Sequence, residues 1–509
     1  MTRMRSLSQV LAATAAQVPD RPAIVFGDAV IPYARLAGAV EALAAGLQRL
    51  GIGPGDRVAL VMPNCPQFTM TYFAAARLGA VAVPFNPLLT PREAAQIVTD
   101  AGACVIVAVE PTAPLATAVA AQAPALEHTI IAGETLSEGA LAFDDLLATA
   151  PEGLADPPGP NELAALLYTS GTTGAPKGAM LTHENLVSDA EASREAVTIE
   201  DDDIILAALP YFHSYGALVC MILPVLVGIP AVVLPRFESL PVLEALERTR
   251  ATFFPAVPSM LAVLAAVKTD RVFDLSALRK CISGGAPLTE RVRQGFEARY
   301  GAYILEGYGP TEASPVVSCN RSLQTRRITS VGPPLPGVEV EIRDEQGAAL
   351  PLGEIGEICV RGRNVMRGYW NDAEQTAEAL REGWLYTGDL GRADEDGYLY
   401  IVDRKKDLII VGGINVYPRE VEDCIAELDE VADVAVVGVK SHLHGERVRA
   451  CIEVREGHTL RPNRVIEHCA ERLAHYKVPR HVNVFDQLPR NAVGKVLKRQ
   501  LREVPPEES

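Results

Sequence analysis

The sequence predicts an α/β protein: a large N-terminal domain of layered α/β subdomains plus a β-rich subdomain, hinged to a small α+β C-terminal domain. Three observations predict it. First, apolar runs of strand length recur (AIVF, VALVM, VAVPF, CVIVAV, HTIIAG, IILAALP, AVVLP), with Ala- and Leu-rich helical stretches such as ARLAGAVEALAAGLQRL between them. Strands alternating with helices make layers around mostly parallel sheets. Second, from about residue 330 to 402 the chain turns rich in Gly and Pro, with short alternating strands VEVEIRD, GEICVRG and GYLYIVD. Third, LIIVGG, PREVEDCIAEL, VADVAVVGV, RACIEV and VIEHCAERLA then alternate strand and helix on a smaller scale.

The elements follow in chain order. Met1 to Ala16 has two arginines and a weak apolar stretch interrupted by Ser8-Gln9. That pattern reads as an amphipathic first helix rather than a secretory signal. Ala217 to Pro235 is apolar and nearly long enough to span a bilayer. Pro224, Gly228 and Pro230 break it, so a buried helix followed by a buried strand is predicted, and no transmembrane segment. The N-terminal domain is placed at 1–403, with its β-rich part at about 330–402. The charged string Asp403-Arg404-Lys405-Lys406-Asp407 reads as connector and hinge, and 404–509 as the small domain.

The bulk composition narrows the function. With 48% hydrophobic and 22% charged residues in 509, the chain can bury large cores. A net charge of -17 argues against a nucleic-acid partner, which needs a basic face. The acid is uneven. Arg404–Ser509 carries 18 basic and 17 acidic residues, so the small domain is the face more open to a polyanion. Nine cysteines stand singly with no CxxC pair, which reads as reduced thiols in a cytoplasmic protein.

The densest chemistry is YTSGTTGAPKG, residues 168–178. Its glycines let backbone N–H groups approach an anion. Thr169, Ser170, Thr172 and Thr173 add hydroxyl donors, Gly171 and Gly174 open the backbone, and Lys177 adds charge. A polyphosphate suits this set. The P-loop pattern GxxxxGK[ST] fails twice, because Pro176 takes the second glycine position and Gly178 the Ser/Thr position.

YTSGTTGAPKGAMLTH resembles the signature loop of the adenylate-forming superfamily, which includes acyl-CoA synthetases, aryl-CoA ligases, luciferases and peptide-synthetase adenylation domains. The resemblance runs over essentially the whole chain, and further motifs stand in the family's order. In LEGYGPTEASP, Tyr308 could stack on a purine, Gly309 beside it is a further nucleotide-binding position and Thr311 could hydrogen-bond the α-phosphate. Glu312 offers a hard carboxylate for Mg²⁺. The resemblance implies these same roles, with Glu312 and Thr173 as the metal positions. Gly284-Gly285-Ala286-Pro287 resembles the turn against adenine. Asp389, in YTGDLG, resembles the ribose acceptor, and Arg404 the second ribose contact. Lys495, in PRNAVGK, resembles the catalytic lysine that reaches both carboxylate and α-phosphate. His213, in LPYFHSYGAL, resembles the gate before the acyl pocket, although a lone His beside aromatics also reads as a core group. The family hinge falls at Lys406, and Gly412-Gly413 resembles the segment lining the pantetheine tunnel. Lys498 and Arg499 read as surface charge. His442 and His444 read as ordinary surface.

The reaction implied is ATP-dependent activation of a carboxylic acid to acyl-AMP with release of pyrophosphate, then transfer to CoA. ATP, Mg²⁺ and CoA are the implied cofactors. Phe212-His213-Ser214 offers no carboxylate to anchor an amine, so the acid lacks an α-amino group, and the motifs look most like fatty-acyl-CoA ligases. An aryl-CoA ligase and an acyl-AMP ligase loading a carrier protein are the alternatives. A non-enzymatic nucleotide- or acyl-binding module fits poorly, because the phosphate loop, Glu312, Asp389 and Lys495 are all present.

Overall fold

The computed structural model describes residues 5–170, 176–411, 414–441, 445–490 and 494–504. The chain forms two compact units, Met1–Val340 with Val360–Tyr386, and Glu341–Cys359 with Thr387–Ser509.

Among the described residues the first unit holds two large sheets. A seven-stranded sheet runs in the order Leu141–Ala142, His128–Ala132, Val105–Val109, Arg57–Val61, Val81–Pro84, Leu163–Ser170, Pro176–Thr182. Its pairings are parallel except the last, where Thr169 stands opposite Lys177 in an antiparallel ladder. Ala59, Val61, Val83 and Ile106 of this sheet meet Ala94, Ile97 and Val98 of the helix Pro91–Ala101 in one core. That helix starts where the sequence provides a reciprocal cap. Thr90 Oγ1 accepts from the Glu93 backbone N–H at 3.4 Å, and Glu93 Oε2 accepts from the Thr90 N–H at 2.9 Å.

An eight-stranded sheet runs Ser318–Cys319, Tyr303–Tyr308, Lys280–Ser283, Phe253–Ala256, Ile205–Ala207, Ala231–Val233, Pro22–Phe26, Ala29–Pro32. Its interior pairings are parallel and its two edge pairings antiparallel. The apolar run after Ala217 divides as predicted. A π-helical turn, Leu218–Ile222, leads into the helix Leu223–Val227, and the strand Ala231–Val233 follows; most of it is buried. The wide turn lies where the Pro224 ring, which lacks an N–H, would crowd the regular ladder. Among the described residues no helix is long and apolar enough to cross a membrane.

In the second unit the strand Val431–Ser441 pairs with Gly445–Val454 along its length, and His481–Phe485 pairs parallel to the latter. The helices Pro418–Ala426 and Pro462–Arg472 share a core with this sheet through Val421, Ile425, Val465 and Cys469. Leu501, in the last helix Lys498–Glu503, joins a second core with Ala435, Val437 and Cys451. The second unit also takes in residues that the sequence reading assigns to the large domain. The reason is a backbone ladder: Asp389 stands opposite Arg404 and Leu390 opposite Asp403, so a cut at 403/404 would divide one hairpin.

Lys498 departs from the sequence reading. It is not surface charge. Its Nζ lies 2.7 Å from Glu422 Oε1, with both side chains about one-fifth exposed. Burial lowers its affinity for the proton, but Glu422 and Asp403 more than offset this and hold the ammonium above its usual range. Arg499 is exposed, as predicted.

Candidate active site

In the first unit the predicted residues from Gly285 to Pro287 and from Tyr308 to Glu312 follow the ends of two strands of the eight-stranded sheet, the usual place for ligands in open parallel sheets, while Thr169, Ser170 and Lys177 stand on the last hairpin of the seven-stranded sheet. The strand Lys280–Ser283 runs into Gly284-Gly285-Ala286-Pro287, and Gly285 has φ +80°, a conformation that side chains resist. Tyr215 seals the strand end: its hydroxyl donates to Ile282 O at 2.9 Å. Beside it, Tyr303–Tyr308 ends at Tyr308. The chain then doubles back so tightly that a Cβ on Gly309 would lie 1.8 Å from Pro315 O. This close approach sets the short 3₁₀ turn Thr311–Ala313 in place. Thr311 Oγ1 lies 2.9 Å from Ser214 Oγ, which draws in the His213 segment. His213 caps the helix Ser214–Ala217, its Nδ1 accepting from Tyr215 N–H at 3.3 Å.

Glu312 is tied to the exit of the 168–178 loop through a residue that the sequence reading missed. The Tyr369 hydroxyl donates to Glu312 Oε1 at 2.8 Å. Lys177 Nζ sits over the Tyr369 ring, 5.4 Å from its centroid, and donates to Gln375 Oε1. Tyr369 is fixed in turn because its segment runs along Pro176–Thr182. Gly368 O accepts from Met180 N–H at 2.9 Å, and Gly178 O from Trp370 N–H at 2.8 Å. Burial and the Glu312 carboxylate both push the Tyr369 phenol up. Nothing in RGYWND marks this Tyr as functional; only the folded segment brings it to Glu312.

The loop that carries Glu312 is held from behind. Glu312 O accepts from Met366 N–H at 2.8 Å. Asn364 Nδ2 donates to Ala313 O at 3.0 Å and to Val316 O at 3.1 Å. Asp189 Oδ2 accepts from Val316 N–H at 2.8 Å, and burial drives its carboxyl well above the usual range. Glu312 Oε2 has no partner among the described residues, and the side chain is only half-buried. A single half-exposed carboxylate with one oxygen unused fits Mg²⁺, which takes one or two protein oxygens and completes its shell with phosphate and water.

The second unit holds the remaining predicted positions that the structure describes. Arg404 Nε lies 3.0 Å from Asp389 Oδ1, a pair set by their opposed places in the hairpin. Asp389 is buried, and its N–H donates to Thr387 Oγ1 at 3.1 Å. Beside it, Gly388 N–H donates to Glu357 Oε1 at 3.0 Å, and Lys405 lies 3.0 Å from Glu357 Oε2. Lys495 falls within the same electrostatic cluster. Crowding by protein atoms lowers its ammonium most, Arg404 and Lys406 add to this, and Asp389 and Asp407 oppose them; the result is about 8. The residue as a whole is exposed, so the charge remains within reach of solvent. Lys406 is lowered by the same packing and by Arg404. Gly171, Thr172, Thr173, Gly174, Gly412, Gly413, His442 and His444 lie outside the described residues.

Residues 11–370 match the family model of the AMP-binding enzyme, and residues 420–495 that of the AMP-binding enzyme C-terminal domain. The chain is 35% identical to a long-chain-fatty-acid–CoA ligase of Bacillus subtilis (strain 168), covering 98% of this chain and 94% of the relative. It is 39% identical to a feruloyl-CoA synthase of Amycolatopsis sp., covering 95% and 96%. Its fold superposes on ATP-bound MatB from Rhodopseudomonas palustris with a TM-score of 0.90 at 34% identity, covering 98% and 99%. The chain belongs to the family of AMP-binding enzymes.

Proposed function

We propose that the chain is an AMP-forming acid–thiol ligase that makes an acyl-CoA from a carboxylic acid, ATP and CoA. One observation carries the reading. A lysine leaving a hydroxyl-rich glycine loop and a carboxylate suited to Mg²⁺ are joined by a single tyrosine, with a threonine hydroxyl beside them. A phosphate chain needs cations and donors spaced along it. In the first step a carboxylate oxygen of the substrate attacks the α-phosphorus of ATP. The bond to pyrophosphate breaks and acyl-AMP forms. In the second, the CoA thiol loses its proton, its sulfur attacks the acyl carbon, and the bond to AMP breaks.

Lys177 and the 171–174 backbone hold the β- and γ-phosphates in this reading, and Thr311 donates to the α-phosphate. Glu312 holds Mg²⁺, which when bound neutralises the phosphate charge. Gly285, Ala286 and Pro287 face adenine, Tyr308 stacks on it, and Asp389 accepts from the ribose hydroxyls beside Arg404. Lys495 holds the two approaching anions together, and Lys406 is the pivot of the domain motion. The acid is a fatty acid. An aromatic acid is the second reading, favoured by the 39% identity to a feruloyl-CoA synthase. Nine free thiols, eight of them buried, support a reducing, cytoplasmic setting.

The test is AMP formation from MgATP with fatty, aryl and dicarboxylic acids, each with and without CoA. CoA-dependent AMP with one acid class establishes the ligase and names its substrate. Acyl-AMP that CoA cannot discharge assigns the product to a carrier protein instead. Lys495→Ala is expected to abolish adenylation while sparing thioester formation from supplied acyl-AMP; equal loss of both steps removes the separate role given to Lys495.

A further inference from the structure

We infer that Tyr369 is a positioning residue for the metal: its phenol holds one oxygen of Glu312 and turns the other towards Mg²⁺, so that Lys177 and Glu312 act on the phosphates as one unit. The inference rests on the reading of Glu312 as the metal-holding residue. The geometry is specific to the hydroxyl. A carboxylate on a free side chain rotates about its terminal torsion and presents either oxygen. Here Tyr369 donates to Oε1 at 2.8 Å, and Oε2 keeps no partner among the described residues. The phenol cannot drift, because Tyr369 N–H donates to Thr376 Oγ1 at 2.9 Å and the residue bridges to Ala179 in the strand that leaves the phosphate loop. The other face of the device is Lys177, whose ammonium lies over the same ring and is held by Gln375.

One aromatic side chain therefore fixes the distance between a phosphate-binding cation and a metal-binding carboxylate. A phenylalanine would keep the ring under Lys177 and release Glu312. Electrostatic catalysis of phosphoryl chemistry depends on charges set before the substrate arrives. Loss of a hydrogen bond to a charged group costs roughly a factor of ten or more in what it orients.

Calorimetric titration of ATP into the full-length protein, with and without Mn²⁺ as the metal probe, reads the inference without turnover. The readout is the gain in ATP affinity that the metal confers. Tyr369→Phe is expected to shrink that gain roughly tenfold while metal-free ATP affinity stays within about twofold. Glu312→Gln should abolish the gain, and adding Tyr369→Phe to it should change nothing further, because the two act through one bond. Glu312→Asp keeps a carboxylate but withdraws it from the phenol. It should repeat the Tyr369→Phe loss, and it serves if Tyr369→Phe does not accumulate as folded protein. A full metal gain in Tyr369→Phe alone overturns the role of Tyr369 and leaves Glu312 standing. A full gain in Glu312→Gln overturns the reading of Glu312, and the inference with it.

Discussion

Lys495 should impose an alkaline limit on adenylation, and the limit should move when its neighbours change. Its ammonium titrates near 8 because packing and Arg404 penalise the charged form. The role proposed for it requires the proton. Between pH 7 and pH 9 the protonated fraction of such a group falls about tenfold. ATP–pyrophosphate exchange, measured as kcat/KM, should fall by about that factor over the same range. Lys495→Arg, which keeps its charge, should show lower activity but no limb there. Arg404→Gln removes one positive charge from a partly solvated cluster and should raise the Lys495 pKa by roughly half a unit. That shift can be read directly from the pH dependence of acylation of Lys495 by acetic anhydride, followed by mass spectrometry of the peptide. The stability effect has a definite sign. The folded value of about 8 lies below the ordinary 10.5, so the unfolded chain binds this proton more tightly. The charged lysine opposes folding below pH 8, and the penalty is lifted as pH rises from 8 to 10.5. Lys495→Met should therefore unfold at a higher urea concentration than the parent at pH 7. An alkaline limb that persists unchanged in Lys495→Arg would refute the assignment.

The partly buried pair Lys498–Glu422 should be costly to break and cheap to replace. Lys498→Met leaves the Glu422 carboxylate uncompensated and should lower unfolding free energy by about 3 kcal/mol, whereas Lys498→Met with Glu422→Leu should recover most of it, both read by urea denaturation. Gly309→Ala should cost about 3 kcal/mol or more and most of the adenylation rate, because its Cβ would meet Pro315 O at 1.8 Å. Gly301→Ala is the control: φ is +70° but nothing lies within 4 Å, so about 1 kcal/mol is expected, with activity retained. A Gly309→Ala enzyme as stable and active as the control would show that the loop after Tyr308 relaxes freely.

Thr311 and Glu312 could be proposed from their residue types, and Asp389, Arg404 and Lys495 because the runs that hold them resemble motifs of the adenylate-forming family standing in the family's order. The strands and helices could be picked because burial of alternate or consecutive apolar residues leaves a period in the chain. Tyr369, Gln375, Ser214 and Lys498 could not. Their neighbours in sequence are ordinary, and their partners lie between 57 and 198 positions away for Tyr369, Gln375 and Ser214. Lys498 shows the same gap, since only folding brings Glu422 to it and turns part of a basic cluster into a partly buried ion pair. Sequence by itself determined the family and the alternation of strands and helices, because these depend on local composition and pattern, and it proposed the set of reacting groups through the family resemblance. The tertiary structure alone decided which of those groups touch. It put one tyrosine between Lys177 and Glu312, paired Asp389 with Arg404 across a hairpin, and crowded Lys495 with protein atoms, with Arg404 and Lys406 adding to the effect, so that its proton comes within reach of neutral pH. Hydrogen bonds and charge shifts decay over a few ångströms in space, and spacing along the chain does not record that distance.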